Sequence, residues 1–508
     1  MTSSNHRIVK NTGLLYFRLI FLTIVNLYAV RVTLDALGVV DYGIFNVIAS
    51  VVASLSILTG AMTSASQRYL SFHLGRNDYE QYSSVFSLLL MCFFSLSVVL
   101  LAIGEILGYF FIDDLLKIPA DRLTAAKWLF QASLISFAFG LLTIPYTSSI
   151  ISNERMDAFA GFSIVEGVLK LGIAFAVLHF NGDRLILYGV LTALINISVF
   201  IMSLLYCHHK FPYCRYIWKW NRDVFSELSK YTGWNLFGSI SGILATQGQN
   251  ILLNIFFGPV INAAKAIADR IQSVINGFSI NLYTAVGPQI IKSYAAEDYQ
   301  RSLNLVMKSS KMSFILIFIL SFPLICNMDG LLHIWLAADS KTPDMVAFSK
   351  LILAYCMILS LEPPISRIIQ ATGKIRNYQV AVGSITLSFI PVAALVLSLG
   401  ASAVMTLVIQ MIIMSVAQVV RVVVAHRQVG LLYGDYLKTV VVPIFKVIAV
   451  GVPVYLLFTP SIFETDVVKV ILSTLISGIF GLFIAGILGL DTSDREMIAN
   501  LINKKIKR

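Results

Sequence analysis

Continuous apolar runs of about 20 residues recur from one end of the chain to the other, each as long as a helix needs to be to cross a bilayer. The pattern predicts about fourteen helical spans. The first six lie near Thr12–Leu34, Tyr42–Ala65, Ser84–Ile112, Ala125–Ile151, Phe159–Phe180 and Leu185–Cys207. The next six lie near Tyr231–Phe257, Ile261–Val286, Lys311–Leu336, Val346–Gln370, Val380–Leu399 and Ser402–Ala425, and Val440–Phe458 and Val467–Leu488 close the chain. A transmembrane barrel would alternate where these runs are continuous, so the expected fold is an all-α integral membrane protein.

One run departs from uniform apolarity in an ordered way. Past the Gly258-Pro259 break, Asn262, Lys265, Asp269, Gln272, Asn276, Ser279 and Tyr283 recur at alternating intervals of three and four. That spacing puts all of them on one face of a helix. A charged residue costs at least ~2.5 kcal/mol at the centre of a membrane helix, so such groups turn toward a bundle interior or a watery cavity. The preceding span carries Asn235, Ser239, Gly242, Thr246 and Gln249 on one face, with Asn250 and Asn254 extending it. Helix packing alone would account for small and amide residues on one helix. Two consecutive helices with matching stripes point instead to the wall of a polar pathway. The counterparts in the second span, Ser56, Thr59 and Thr63, make a less polar wall.

The chain repeats itself at an offset of about 220 residues. Thr12-Gly13 meets Thr232-Gly233, Leu37-Gly38-Val39-Val40 meets Phe257-Gly258-Pro259-Val260, and Asn77-Asp78-Tyr79 meets Glu297-Asp298-Tyr299. Pro145 through Ile151 lines up with Pro363 through Ile369 at nearly the same offset. An even number of spans separates the copies, so the repeat is parallel, as in many transporters. The expected organisation is a six-helix half over residues 1–207, a cytoplasmic linker over 208–230 and a second six-helix half over 231–425. Two additional helices over 426–488 and a basic cytoplasmic tail over 489–508 follow.

Charge gives the orientation. With the N-terminus inside, the inside loops hold more than about twenty of the lysines and arginines, against about four in the outside loops (Lys117, Arg122, Arg184 and Lys341). Both termini are therefore expected in the cytoplasm. Of 508 residues, 57% are hydrophobic and 13% charged. Mean hydropathy is +0.81. A soluble chain would carry roughly a quarter charged residues. The net charge of +11 suits an anionic inner leaflet, and nothing calls for nucleic acid. The Lys504–Arg508 cluster reads as a topology anchor. The five cysteines form no metal-binding or CxxC spacing. No nucleotide-binding loop, metal cluster or nucleophile–base spacing stands out, so no enzyme and no cofactor is expected. The first run ends in no cleavage site and reads as a retained span.

Charge inside the spans carries the functional information. It comprises Arg18, Arg31 and Asp35, then Glu166 and Lys170, then Lys265, Asp269 and Arg270, then Glu362 and Arg367, and finally Lys446. Arg31–Asp35, Glu166–Lys170 and Lys265–Asp269 are spaced for pairing within one helix. Neutralisation at a helix interface or snorkelling to headgroups would explain Arg31–Asp35 and Lys446. Arg18 has no carboxylate one turn away. Cations outnumber carboxylates, which suits an anionic cargo: arginine forks hold phosphate oxygens, and amides and hydroxyls suit sugars. The candidate cavity residues are Arg18, Arg31, Lys170, Asn235, Thr246, Gln249, Lys265, Asp269, Arg270, Gln272, Asn276 and Arg367. Asp269, Glu166 and Glu362 are the candidates for a coupling ion.

These residues resemble a known group. Two six-helix halves with two extra helices look like the multidrug/oligosaccharidyl-lipid/polysaccharide (MOP) exporter superfamily. Within it, NTGLLYFRLIFLTIVNLYAVRVTLDALGVVDYGIFNV, SASQRYLSFHLGRND and LLNIFFGPVINAAKAIADRIQ are similar to Wzx-type polysaccharide-repeat flippases. The resemblance implies a MATE-like V-shaped bundle in a bacterial inner membrane. It implies transfer of undecaprenyl-pyrophosphate-linked oligosaccharide to the periplasmic leaflet for O-antigen, capsule or exopolysaccharide synthesis. A proton or sodium gradient or the membrane potential would drive it, among membrane lipids and beside a polysaccharide polymerase and chain-length machinery. A cation-coupled multidrug-type antiporter of the same fold is the alternative, although the acidic character of that branch matches this cationic set poorly. A membrane scaffold for glycan assembly is the third reading.

Overall fold

The computed structural model describes residues 3–54, 57–110, 119–217, 222–335, 342–458 and 467–490. Regular structure in the described residues is helical throughout. In chain order the helices are α1 (Ser3–Ser54), α2 (Ile57–Gly75), α3 (Tyr79–Phe110), α4 (Leu123–Ser152), α5 (Met156–Leu178) and α6 (Arg184–Lys210). Next come α7 (Arg222–Phe257), α8 (Pro259–Ala295), α9 (Tyr299–Cys326), α10 (Met328–Trp335), α11 (Pro343–Leu359) and α12 (Glu362–Ala371). The last six are α13 (Arg376–Leu387), α14 (Phe389–Ser398), α15 (Met405–Val429), α16 (Tyr433–Tyr436), α17 (Val442–Phe458) and α18 (Val467–Ile484).

Ten helical segments of the described residues are long and apolar enough to cross a membrane, and some join two of these helices, as in Pro343–Ala371. The protein is thus an all-α multi-pass membrane fold. Helices α7 and α8 are outside those ten, because amides, hydroxyls and charges dilute their apolar runs. They are the two helices whose polar stripes the sequence singles out.

The chain forms two compact units. One is built from the residues up to Leu236 together with Ile291–Glu297, the other from Phe237–Ile290 and the residues from Asp298 onward. In the first, α4 packs on α3 and α6, and α1 on α5. Ile48, Leu129, Leu134, Ile173, Val177 and Leu185 form its apolar core. In the second, Leu253 of α7 and Ala264, Ala268 and Ile275 of α8 pack with Ile317, Phe348, Ile352 and Leu407. The front of the linker segment is docked on the first unit. Ser83 Oγ donates to the Tyr213 carbonyl at 2.9 Å, Ile217 N–H to Ser87 Oγ at 2.8 Å, and Tyr213 Oη to Asn153 Oδ1 at 2.5 Å.

The sequence repeat reappears as repeated backbone geometry. Gly38 and Gly258 both adopt positive φ, 75° and 79°, and Asn77 and Glu297 do so at 55° and 62°. A glutamate is uncommon in that region, so sharing it with Asn77 marks a common turn. The Asn77 amide bonds the Leu74 carbonyl and the Glu297 amide the Tyr294 carbonyl. Asp78 then caps α3 by accepting from Gln81 N–H at 3.1 Å, and Asp298 caps α9 by accepting from Arg301 N–H at 3.1 Å. The basic tail lies outside the described residues beyond Leu490, as do Ser56, Lys117 and Lys341.

Two arginines tie the loop ends of the first unit. Arg122 pairs with Asp41, just past the Gly38 break in α1, and with Asp183 at 2.9 Å. Asp183 is also the N-cap of α6, accepting from Leu185 and Ile186 N–H. Arg184 Nη1 donates to the Ala36 carbonyl at 3.0 Å, just before the break. Arg122→Ala leaves two part-buried carboxylates facing a lost counter-ion. It should cost on the order of 2 kcal/mol, less than a fully buried pair, read as a lower melting temperature in detergent. An unchanged melting temperature would show that the three loop ends hold without the clasp.

Candidate functional site

Helix α8 supplies the stripe. Its small residues Ala264 and Ala268 seat it in the core of the second unit, which draws Lys265 inward to 2% exposure. The Lys265 Nζ donates to Asp269 one turn further on. This pair is asymmetric: the lysine side chain is 3% exposed and the aspartate 35%. Gln272 and Asn276 continue the stripe half-buried, and Ser279 Oγ meets Ser313 Oγ of α9 at 3.2 Å. At the end of the stripe the Tyr283 ring holds the Arg367 guanidinium, 5.1 Å from its centroid, while Arg367 Nη1 donates to Gln370 Oε1. Arg270 points off the stripe and is exposed, as is Val274 one turn further on.

Helix α7 divides its polar residues between faces. Gln249 is fully buried and donates from Nε2 to Thr406 Oγ1 of α15 at 3.1 Å. Its Oε1 is buried with no hydrogen-bond partner in the described residues. Asn235, at the end of α7 that belongs to the first unit, is also buried. Thr246 is exposed and bonds its own helix at the Gly242 carbonyl.

The first unit contains a cavity of about 440 Å³ lined by α1, α2, α4, α5 and α6. Its polar lining comes from Thr59, Ser133, Ser136, Lys170, Thr192 and Asn196, and Phe45 and Phe137 supply flat apolar walls. Asn196 Nδ2 donates to Ser136 Oγ at 2.7 Å, and Lys170 Nζ to Glu166 Oε1 at 2.6 Å. Of the second-span residues Ser56, Thr59 and Thr63, Thr59 lines this cavity, and the other hydroxyls and the amide come from α4 and α6. Sequence reading passed over them, although Ser133, Ser136 and Gly140, and Thr192 and Asn196, fall at helical spacing. On α1, Arg18 lies over the Phe159 ring of α5 at 4.6 Å. Its Nε is buried without a hydrogen-bond partner in the described residues. The backbone of Arg31 is in α1, and its side chain lies outside the described residues.

All three carboxylates proposed for a coupling ion are ion-paired. Glu166 holds Lys170, Asp269 holds Lys265, and Glu362 holds Arg421 at 3.0 Å. Arg421 had no place in the sequence reading, yet its side chain is only 2% exposed. It also donates from Nη1 to Gln418 Oε1. Lys311, 1% exposed on α9, was missed as well. Both fall near the ends of their apolar runs, where a cation reads as a boundary. No group of metal-binding side chains occurs among the described residues.

No protein-family model matches this sequence, and no curated protein does. Solved structures do. One is an outward-facing multidrug resistance MATE family transporter of the MOP superfamily, 11% identical with a TM-score of 0.72, over 84% of this chain and 96% of that one. Another is MATE in complex with MaD3S, 12% identical with a TM-score of 0.70, over 84% and 96%. A third is a MOP superfamily transporter from Pyrococcus furiosus, described as having a binding pocket of reversed polarity that suggests a different function. It is 12% identical with a TM-score of 0.67, over 85% and 98%. At such identities the likeness establishes architecture. The chain has the fold of the MATE transporters of the MOP superfamily.

Proposed function

We propose that this protein is a transporter that flips undecaprenyl-pyrophosphate-linked oligosaccharide repeat units from the cytoplasmic to the periplasmic leaflet of a bacterial inner membrane by alternating access. The observation that carries the reading is the chemistry of the two units. The first has a cavity lined by five hydroxyl or amide side chains and one lysine. The second has a buried lysine on a polar helix face. Hydroxyls, amides and flat aromatic walls suit sugar rings, and cations suit phosphate or acidic sugars. Every candidate carboxylate is taken by a cation of its own unit, which leaves little for a cationic drug. The MOP fold supports transport as the activity.

The energy source belongs to the same proposal. A net anion leaving the cytoplasm gains about 2.3 kcal/mol per charge for each 100 mV of outside-positive potential. A proton or sodium ion taken at Asp269, Glu166 or Glu362 would have to displace the paired cation. The product would pass to a polysaccharide polymerase and its chain-length machinery.

A cation-coupled small-molecule antiporter is the second reading, favoured by a fold neighbour described as a multidrug resistance transporter. Extraction of lipid-linked oligosaccharides from cells with and without the gene, scored by leaflet, separates the two. Complete repeat units should build up on the cytoplasmic side when the gene is absent. Unchanged sidedness in cells lacking a redundant flippase, together with drug sensitivity, would establish the antiporter instead.

A further inference from the structure

The segment between α6 and α7 is basic and aromatic at once. From His208 to Arg222 it carries Lys210, Arg215, Lys219 and Arg222, two histidines and no carboxylate. Phe211, Tyr213, Tyr216, Trp218 and Trp220 are interleaved with them. Cations mixed with tyrosine and tryptophan are what a membrane–water interface holds. The described part of the segment ends at Ile217.

Backbone contacts fix where that part lies. Ser83 of α3 holds the Tyr213 carbonyl. One helical turn further on, Ser87 Oγ accepts from Ile217 N–H at 2.8 Å and donates to the Arg215 carbonyl at 3.5 Å. The chain leaving α6 therefore turns and follows α3 toward its apolar run. Glu80 is the last charge before that run and Ser87 is seven residues past it, about 10 Å at 1.5 Å per residue. Phe211 and Cys214 are buried against the first unit, and the Tyr213 ring stacks on Tyr79, centroids 5.0 Å apart. Arg215, Tyr216 and Ile217 are left facing out, with Lys210 exposed at the end of α6. The acidic groups nearby in sequence are placed elsewhere: Asp78 caps α3, and Glu80 stands two turns back along that helix.

We propose that Lys210, Arg215, Tyr216 and Ile217 bind anionic phospholipid of the leaflet on this side of the membrane. The segment lies beside the start of a helix long and apolar enough to cross the bilayer, which favours lipid over a soluble partner. Ile217 offers an aliphatic surface to the first methylenes, and the tyrosine ring suits the headgroup level. The lysine and arginine stems carry their charges outward to the phosphates. Anionic lipid is drawn to such cations within a Debye length of the surface. The contact does not depend on what the transporter carries.

The test uses the purified full chain with p-benzoylphenylalanine in place of Tyr216, reconstituted in phosphatidylcholine vesicles that hold a minority of phosphatidylglycerol. Such vesicles contain no cargo and no second protein. Irradiation should give lipid adducts in which phosphatidylglycerol is enriched about fivefold over its share of the vesicle, the pull of a basic residue at the surface. Lys210→Gln combined with Arg215→Gln should return the adducts to the vesicle's own ratio. Total adduct and melting temperature should hold, because both side chains are exposed. Arg215→Gln alone should lower the enrichment in the same direction, as should added salt. Lys374→Gln, at an exposed lysine of another loop, should leave it unchanged. Absence of lipid adducts would overturn the proposal. So would adducts of the parent chain at the vesicle's own ratio, or an enrichment that the charge-removing variants leave intact.

Discussion

Asp269→Asn should destabilise this protein by on the order of 3 kcal/mol, whereas Lys265→Met should cost much less although it removes the more deeply buried group. The reason is which charge is left behind. Without the aspartate, an ammonium 3% exposed has lost its counter-ion, and no other carboxylate partner of Lys265 occurs among the described residues. Breaking a buried pair in this way costs roughly 3–5 kcal/mol. Without the lysine, the remaining carboxylate is 35% exposed and can keep water, while methionine, of similar length, fills the lysine's place. Transport should rank the two differently. Lys265→Met should reach the membrane at normal levels and still lose most of its lipid-linked oligosaccharide transport. Asp269→Asn should lose both level and transport. Thermal melts in detergent, paired with leaflet-resolved extraction, read both quantities. If Lys265→Met were the less stable variant, the pair would have its buried end misassigned. If it transported normally, Lys265 would be a structural cation and the cargo would be met elsewhere.

The contrast shows where sequence periodicity was sufficient. A stripe at intervals of three and four places Lys265, Asp269, Gln272 and Asn276 on one face whatever the helix packs against, because the helix repeat alone dictates it. Likewise the turn shared by Asn77 and Glu297 is local, written in Asn77-Asp78-Tyr79 and Glu297-Asp298-Tyr299, and it survives into the same positive φ and the same cap. Burial is not local. Nothing in Asn235, Ser239, Thr246 and Gln249 says that Gln249 meets Thr406 while Thr246 is exposed, since that depends on how α15 packs on α7. The partner of Glu362 was hidden for the same reason. Arg421 is 59 residues away by position number on another helix, and only packing brings it to 3.0 Å. The cavity of the first unit is the extreme case. Its lining is spread over five helices, four of which contribute one or two polar groups each, too few to register as a stripe.

That cavity can be closed without breaking the fold, which gives the most direct test of whether cargo passes through it. Gly140 lines the cavity, and a Cβ built there meets nothing within 4 Å. It lies inside α4, where glycine costs roughly 0.5–1 kcal/mol relative to alanine. Gly140→Ala should therefore be stable and active, with a melting temperature equal to or above that of the parent. Gly140→Leu should keep that stability while its side chain fills space between Phe137, Lys170 and Asn196. Transport should fall by about tenfold or more, the loss expected when roughly 1.4 kcal/mol or more of cargo binding is blocked. Asn196→Leu makes the complementary change from α6. It removes the amide that donates to Ser136 and should also lose transport, but with some loss of stability because the Ser136 hydroxyl loses its partner. A stable Gly140→Leu protein that still flips oligosaccharide at the parental rate would take the cavity off the transport path. The polar face of α8 would then be left as the site that meets the cargo.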